Sequence, residues 1–172
     1  PINRLALISK VKQDGTVKHR IIWDLRRSGV NSRVVNPERI ILPEFCDAAN
    51  DAANIRRKFG ENAVWLGTDI MDAFHNMPLH EEEQANTVCR HAGLFYTFCI
   101  LVFGSKGAPL AWGRAAAWLG RACVTFVQFL QMQTFVDDPL FSAPATIAVR
   151  VFSSVLLFMT WIGFPIAWPK TE

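Results

Sequence analysis

Two short acidic clusters set inside apolar runs constrain this chain more than any other feature. Asp69 and Asp72 lie in Asp69-Ile70-Met71-Asp72-Ala73-Phe74, and Asp137 and Asp138 directly follow Phe135-Val136. A carboxylate beside apolar strand residues is costly unless a cation or several donors compensate it, and neither stretch carries a Lys or Arg. The fold must either expose the clusters on unrelated turns or bring them to a common place across 68 positions. Brought together, they would make a hard oxygen site suited to Mg²⁺. Paired ions roughly 3.5–4 Å apart in such a site support in-line displacement at phosphorus.

Charge is distributed unevenly. Residues 1–60 hold twelve Lys and Arg against six acids, and the remaining residues six against nine, although the whole chain is only +3. A basic N-terminal part beside an acidic centre suits a protein that attracts phosphates with one surface and holds metal with another; for Arg56-Arg57-Lys58 alone, a solvated helix face is the simpler reading. With 172 residues, about half of them hydrophobic, the chain can bury a core as one domain or one domain plus a small lobe. The four cysteines have no Cys-x-x-Cys spacing, which argues against zinc. They are expected to be reduced and mostly buried, in an intracellular setting, since nothing resembles a secretory leader. The apolar stretch at residues 151–168 is interrupted by Ser153, Ser154, Gly163 and Pro165, so a core helix is expected there and no membrane partner.

Local patterns supply the elements. Residues 5–10 and 20–25 are β-rich around Gln13-Asp14-Gly15, which predicts an antiparallel hairpin studded with basic residues. Residues 44–59 have helical spacing and stop at Gly60. A short strand is expected over 63–70, a helical turn from Glu81 with acids suited to its N-terminal dipole, and a second hairpin from 86–89 and 95–103. Pro109 fits the first turn of a long helix reaching about Gln131. Residues 134–136 and 140–141 form a hairpin whose tip presents Asp137 and Asp138, and a helix is expected to start at Pro144. The sum is an α+β fold: an antiparallel sheet with helices on one face.

The order of five segments gives this pattern a family likeness. Residues 14–31, with Lys18, Arg20, Asp24 and Asn31, are followed by residues 69–79, then by Phe103-Gly104-Ser105-Lys106-Gly107-Ala108-Pro109, then by Asp137-Asp138, then by residues 163–170 ending on Lys170. Together they resemble a reverse transcriptase of retrotransposon or retroviral type. The resemblance implies a polymerase palm over 63–172, fingers over 1–62, and a further fingers hairpin inserted at about 82–106. No segment matches the family's thumb, so the chain reads as a fingers–palm core.

The same likeness implies roles. Asp69, Asp137 and Asp138, with the carbonyl of Ile70, would hold two Mg²⁺ ions, or Mn²⁺. Arg20 first, and after it Lys18 or Lys12, would meet the triphosphate of an incoming dNTP; Arg offers a planar fork, Lys a mobile point charge. Asp72 and Ala73 would line that pocket, and Phe74 would exclude a 2′-hydroxyl. Phe103 and Gly104 would contact the nascent base pair, Gly104 by allowing close backbone approach. Lys170 would give a proton to the departing pyrophosphate. The partners implied are dNTPs and a primer on an RNA or DNA template, the activity RNA-directed DNA polymerisation. Plainer roles stand beside these: a helix cap for Asp72, a core aromatic for Phe74, a cross-strand ion pair for Arg20 or Lys18, and an exposed terminal amine for Lys170.

Pro139 departs from the pattern. The family commonly has an apolar residue with a backbone N–H there, and proline removes that donor and restricts Asp138. It supports an alternative, a catalytically weak or inactive retroelement remnant that binds nucleic acid without polymerising. A two-metal nuclease would also gather carboxylates, but has no use for Phe74, Gly104 or Arg20. An RNA-copying RNA polymerase would replace the aromatic at Phe74.

Overall fold

The structure is a computed structural model that describes residues 2–12 and 15–171. The Gln13-Asp14 part of the first turn lies outside the described residues. The chain forms two compact units, residues 1–39 with 74–112, and residues 40–73 with 113–172.

The first unit is built on a hairpin of β1 (Leu5–Val11) and β2 (Val17–Trp23), antiparallel, with Leu5 opposite Trp23 and Val11 opposite Val17. Alternation sorts its side chains. Lys10, Lys18, Arg20, Ile8 and Ile22 share one face, and Leu5, Leu7, Val11, Val17 and Ile21 the other. At its base, Trp23, Leu25 and Val102 form a small core with Val30 and Phe98 against it; the Trp23 and Phe98 rings meet edge to face at 4.5 Å. A one-turn helix α1 (Val30–Arg33) follows. The N-terminal strap is tied down by Asn3, whose Nδ2 donates to the carbonyls of Asn86 and Val88.

The second unit opens with α2 (Phe45–Phe59). Glu44 and Asp47 form a reciprocal capping box at its start, satisfying backbone donors that the helix itself cannot, and Gly60 ends it at φ 74° with its N–H on the Arg56 carbonyl. After β3 (Ala63–Gly67) the chain leaves for the first unit, where it makes α3 (Glu81–Gln84) and the short hairpin β4 (Cys89–His91) and β5 (Leu94–Tyr96). This hairpin is tighter than the sequence reading expects. Ala92 and Gly93 both take positive φ, 48° and 81°, as a two-residue turn of type I′ requires. The residues before it instead curl around Thr87, which accepts from the Phe98 N–H.

The helix α4 (Ala108–Phe126) carries Pro109 in its first turn and returns to the second unit. It ends earlier than its apolar periodicity suggests. Val127 and Leu130 remain buried, continuing the pattern, but Phe129 takes φ 71° and the chain turns into β6 (Gln131–Phe135). The strand β7 (Asp138–Pro144) lies between β3 and β6 in an antiparallel sheet. Pro144 is therefore the last strand residue, opposite Ala63, and not the start of α5 (Ala148–Trp161). The carboxylate of Glu61 accepts from the N–H and hydroxyl of Thr146 just before that helix. Phe141 on β7 packs on Phe152 of α5, and Leu119, Cys123, Val155 and Met159 complete the core with no exposed surface. The fold is the mixed α+β arrangement with antiparallel pairing expected from the sequence. No helix among the described residues is long and apolar enough to cross a membrane.

Candidate functional site

In the second unit, the pairing of β3 with β7 does not stop at the strand end. Gly67 faces Leu140, and beyond it the Thr68 N–H donates to the Pro139 carbonyl and the Ile70 N–H to the Asp137 carbonyl, at 3.2 and 2.8 Å. Continuing that register sets Asp69 across from Asp138. The pair is of the non-hydrogen-bonded kind, in which facing Cα atoms approach to about 4.5 Å. Asp137 occupies the turn itself. Phe135 pairs with Asp138, leaving Val136 and Asp137 as a two-residue loop with Val136 at φ 59°, a strained conformation for a β-branched residue.

A third segment completes this end of the sheet. Residues 165–167 run antiparallel along 69–71: the Ala167 N–H donates to the Asp69 carbonyl at 2.8 Å and the Met71 N–H to the Pro165 carbonyl at 2.9 Å. Ile70 and Ile166 face each other there, both buried. The chain then makes a short 3₁₀ turn (Trp168–Lys170), and the hydroxyls of Thr171 and Thr68 bond at 2.9 Å. This mounting brings the Lys170 ammonium onto the Asp69 carboxylate in a direct ion pair. Asp69 is 8% exposed, and the pair supplies the compensation that its buried carboxylate needs.

Asp138 is more open. Its pKa is raised, first by partial desolvation and second by the charge of neighbouring Asp137, so two negative groups sit together, and neither takes part in an ion pair among the described residues. The described residues contain no group of three or more acidic, thiol or imidazole side chains arranged to grip a metal ion. The backbone thus brings Asp69, Asp137 and Asp138 to one end of one sheet, while the side chains divide between Lys170 and each other. Their chemistry fits a divalent ion: every donor is a hard oxygen, one carboxylate already binds a cation, and the other two repel each other in the absence of one. Asp72, exposed and at φ 50°, and buried Ala73 follow in the same unit.

The first unit holds the remaining candidates. Phe103 is the hub of a small aromatic cluster. Phe74 lies tilted against it at 5.4 Å, the His75 ring meets it edge-on at 5.1 Å, and the Arg20 guanidinium stands 5.7 Å from its centroid. Arg20 is therefore braced on a ring, while Asp24 caps the Arg27 N–H instead. Lys18 is two residues away on the same hairpin face and directly opposite Lys10, two like charges facing each other, which an anion would relieve. Lys12 lies at the strand end, its N–H on the Thr16 carbonyl.

Gly104 has no room for a side chain. At φ 105°, an added Cβ would fall 2.1 Å from the Trp23 carbonyl oxygen. The close approach is locked by the Trp23 N–H donating to the Phe103 carbonyl and by Asn31, whose amide donates to Gly104 and accepts from the Lys106 N–H. Sequence reading missed Lys10 and His75. The hairpin register would have found Lys10, which shares its face with Lys18 and Arg20; nothing local marks His75.

No family model matches the sequence, and no curated protein does. Solved structures do match. The foamy viral protease–reverse transcriptase in complex with double-stranded DNA superimposes with a TM-score of 0.71 at 17% identity, over 98% of this chain and 27% of that one. The Prototype Foamy Virus protease–reverse transcriptase, native and as a mutant, gives TM-scores of 0.67 at 19% and 20% identity, again over 98% of this chain and 20% of those. The class defined is a reverse-transcriptase-like fold, and this chain spans about a quarter or less of the length of the neighbours it matches.

Proposed function

We propose that this chain is the fingers–palm core of an RNA-directed DNA polymerase, which joins deoxynucleotides from dNTPs to a primer 3′-hydroxyl on an RNA or DNA template. One observation carries the reading: the β3–β7 register runs on past the strand end, so that Asp69 faces Asp138 beside Asp137. The reverse-transcriptase-like fold supports it.

Asp69, Asp137 and Asp138, with the Ile70 carbonyl, would hold two Mg²⁺ ions, Mn²⁺ being an alternative. Bound there, the ions would supply positive charge to the attacking 3′-oxygen and the departing phosphate oxygens. The chain's own groups do the rest. Arg20, steadied on Phe103, and Lys18 beside it meet the triphosphate, where positioning and charge account for most of the catalysis. Phe74, held against Phe103, excludes a 2′-hydroxyl, and Asp72 and Ala73, which precede it in sequence, are assigned to substrate binding. Phe103 and Gly104 present backbone and ring to the new base pair. Lys170 hands a proton to pyrophosphate. Base choice belongs to Watson–Crick pairing, with the protein holding backbones.

The test is primer extension on RNA and DNA templates with Mg²⁺ or Mn²⁺, comparing the wild type with Asp137→Asn. Extension by the wild type and none by the variant, with circular dichroism unchanged, is the expected result. Equal extension by both removes the metal assignment. A second reading, a remnant that binds nucleic acid without copying it, is favoured by Pro139, which leaves the carboxylate end one ladder donor short; binding without product would select it.

A further inference from the structure

The geometry points to Lys170 as an internal counter-ion that holds Asp69 until a divalent ion displaces it, so that metal binding and release of Lys170 are one coupled event. The inference rests on the metal-dependent reading of the carboxylate end and goes beyond it, because it assigns Lys170 a role before any substrate arrives.

Lys170 does not reach Asp69 by chance contact of a loose tail. Its backbone is fixed to the Asp69 segment by the main-chain bonds of Ala167 and Met71, by the Ile70–Ile166 facing pair, and by the Thr68–Thr171 hydroxyl bond. The turn at 168–170 is closed by the Lys170 and Thr171 N–H groups on the Ala167 and Trp168 carbonyls. Asp69 therefore carries a built-in ammonium delivered from 101 positions away.

The two carboxylates on the neighbouring strand have a different lot. Asp137 and Asp138 are two carboxylates side by side at the turn and the start of β7, and the pair has no assigned cation among the described ion pairs. A divalent ion entering there gains two uncompensated carboxylates, but it gains Asp69 only by exchanging with Lys170. A side chain 60% exposed at Lys170 can make that exchange by rotating into water, without moving the backbone that carries it. By linkage, whatever Lys170 contributes to holding Asp69 is subtracted from metal affinity, and metal binding must weaken the Lys170 contact by the same factor. Once displaced, the ammonium stays tethered beside the metal ligands, free to meet another anion.

The experiment uses the whole chain and two probes. Mn²⁺ affinity is measured by the electron-spin signal of the free ion for wild type and Lys170→Gln. The ¹⁵N shift of Lys170 Nζ, read through its Cε protons, is followed during Mg²⁺ titration of the wild type. The expected result is Mn²⁺ binding about tenfold tighter in the variant, the lower end of what a hydrogen bond to a charged group is worth, together with a Nζ shift that saturates at the Mg²⁺ concentration that fills the site. Binding equal within twofold in the two proteins overturns the inference. So does an unmoved Nζ shift at saturating Mg²⁺, since tighter binding alone would then reflect only the loss of a nearby positive charge. Either result leaves the metal reading standing. No Mn²⁺ bound by either protein overturns both.

Discussion

Replacing Gly104 with alanine should destabilise the first unit more than any other single-methyl addition at a described glycine. The new Cβ would lie 2.1 Å from the Trp23 carbonyl oxygen and 3.2 Å from its carbon, both backbone atoms that cannot swing aside. Its φ of 105° also lies outside the left-handed helical well that an L-residue tolerates, a strain of about 1–3 kcal/mol. Relieving the clash by roughly 1 Å breaks two bonds that hold the loop, Trp23 N–H to Phe103 and the Asn31 amide to Gly104, each worth about 1 kcal/mol. The sum is about 3–5 kcal/mol, a large part of a typical domain's stability. Gly60 is the internal control: its φ is 74° but nothing lies within 4 Å of the added carbon, so Gly60→Ala should cost only about 1–2 kcal/mol. Urea titrations of both variants and the wild type give the comparison. If Gly104→Ala is no worse than Gly60→Ala, the close approach of these two backbones does not exist as described.

Phe74→Ala should raise ribonucleotide incorporation relative to deoxynucleotide in primer extension; an unchanged sugar preference would leave Phe74 as a packing residue for Phe103 only. Thiol labelling at pH 8 should modify Cys46 and Cys99 quickly, since both are exposed, and Cys89 and Cys123 only after unfolding. Burial pushes the Cys123 thiol from 9.0 up to about 12. The unfolded thiol then ionises first, so stability should fall as pH rises from about 9 towards 12, and Cys123→Ala should flatten that slope in denaturant titrations. Pro139→Val should restore a donor facing the Thr68 carbonyl and raise stability by roughly 0.5–1.5 kcal/mol; an unfolding midpoint at or below the wild type would mean that the rigidity of proline outweighs the missing bond.

Local rules reached the elements whose causes are local. The basic hairpin follows from alternation about a Gly turn, α2 from its spacing and Gly60, and the β6–β7 hairpin from an acidic pair between apolar runs. What the sequence hid depends on contacts between distant segments. The apolar period of α4 continues through Val127 and Leu130, which stay buried, so nothing in the pattern announces that the helix ends at Phe126. Pro144 looks like a helix starter, but it is held as a strand residue by Ala63 opposite it. Among the cysteines, burial divides evenly where mostly buried thiols were expected, because Cys46 and Cys99 fall on the outer sides of their segments. At the candidate site, the two clusters were legible as unusual, whereas the Lys170 partner of Asp69 comes from a strap along 69–71 that no local pattern marks.

The costs of this fold are gathered at one place. Within residues 136–139 stand a valine at φ 59°, an Asp138 carboxyl whose pKa is raised by burial and then by adjacent Asp137, and a proline in the central strand of its sheet. Each is unfavourable by itself. In the 68–139 pair only one of the two ladder bonds can form, since proline has no N–H to return. The Thr68–Asp69 edge is held instead from its other side, by residues 165–167 and by Thr171. This division of labour has a consequence for how the end of the sheet responds to charge. The Asp69 segment is thus held on both sides, by the strap and by the Ile70 N–H on the Asp137 carbonyl, so under the proposed metal reading a cation relieving Asp137 and Asp138 would meet a strand already in place. The repulsion between these carboxylates is then the term that the proposed cation would relieve, and the outlier at Val136 beside it is what directs a functional hypothesis to the tip and not to the regular sheet behind it.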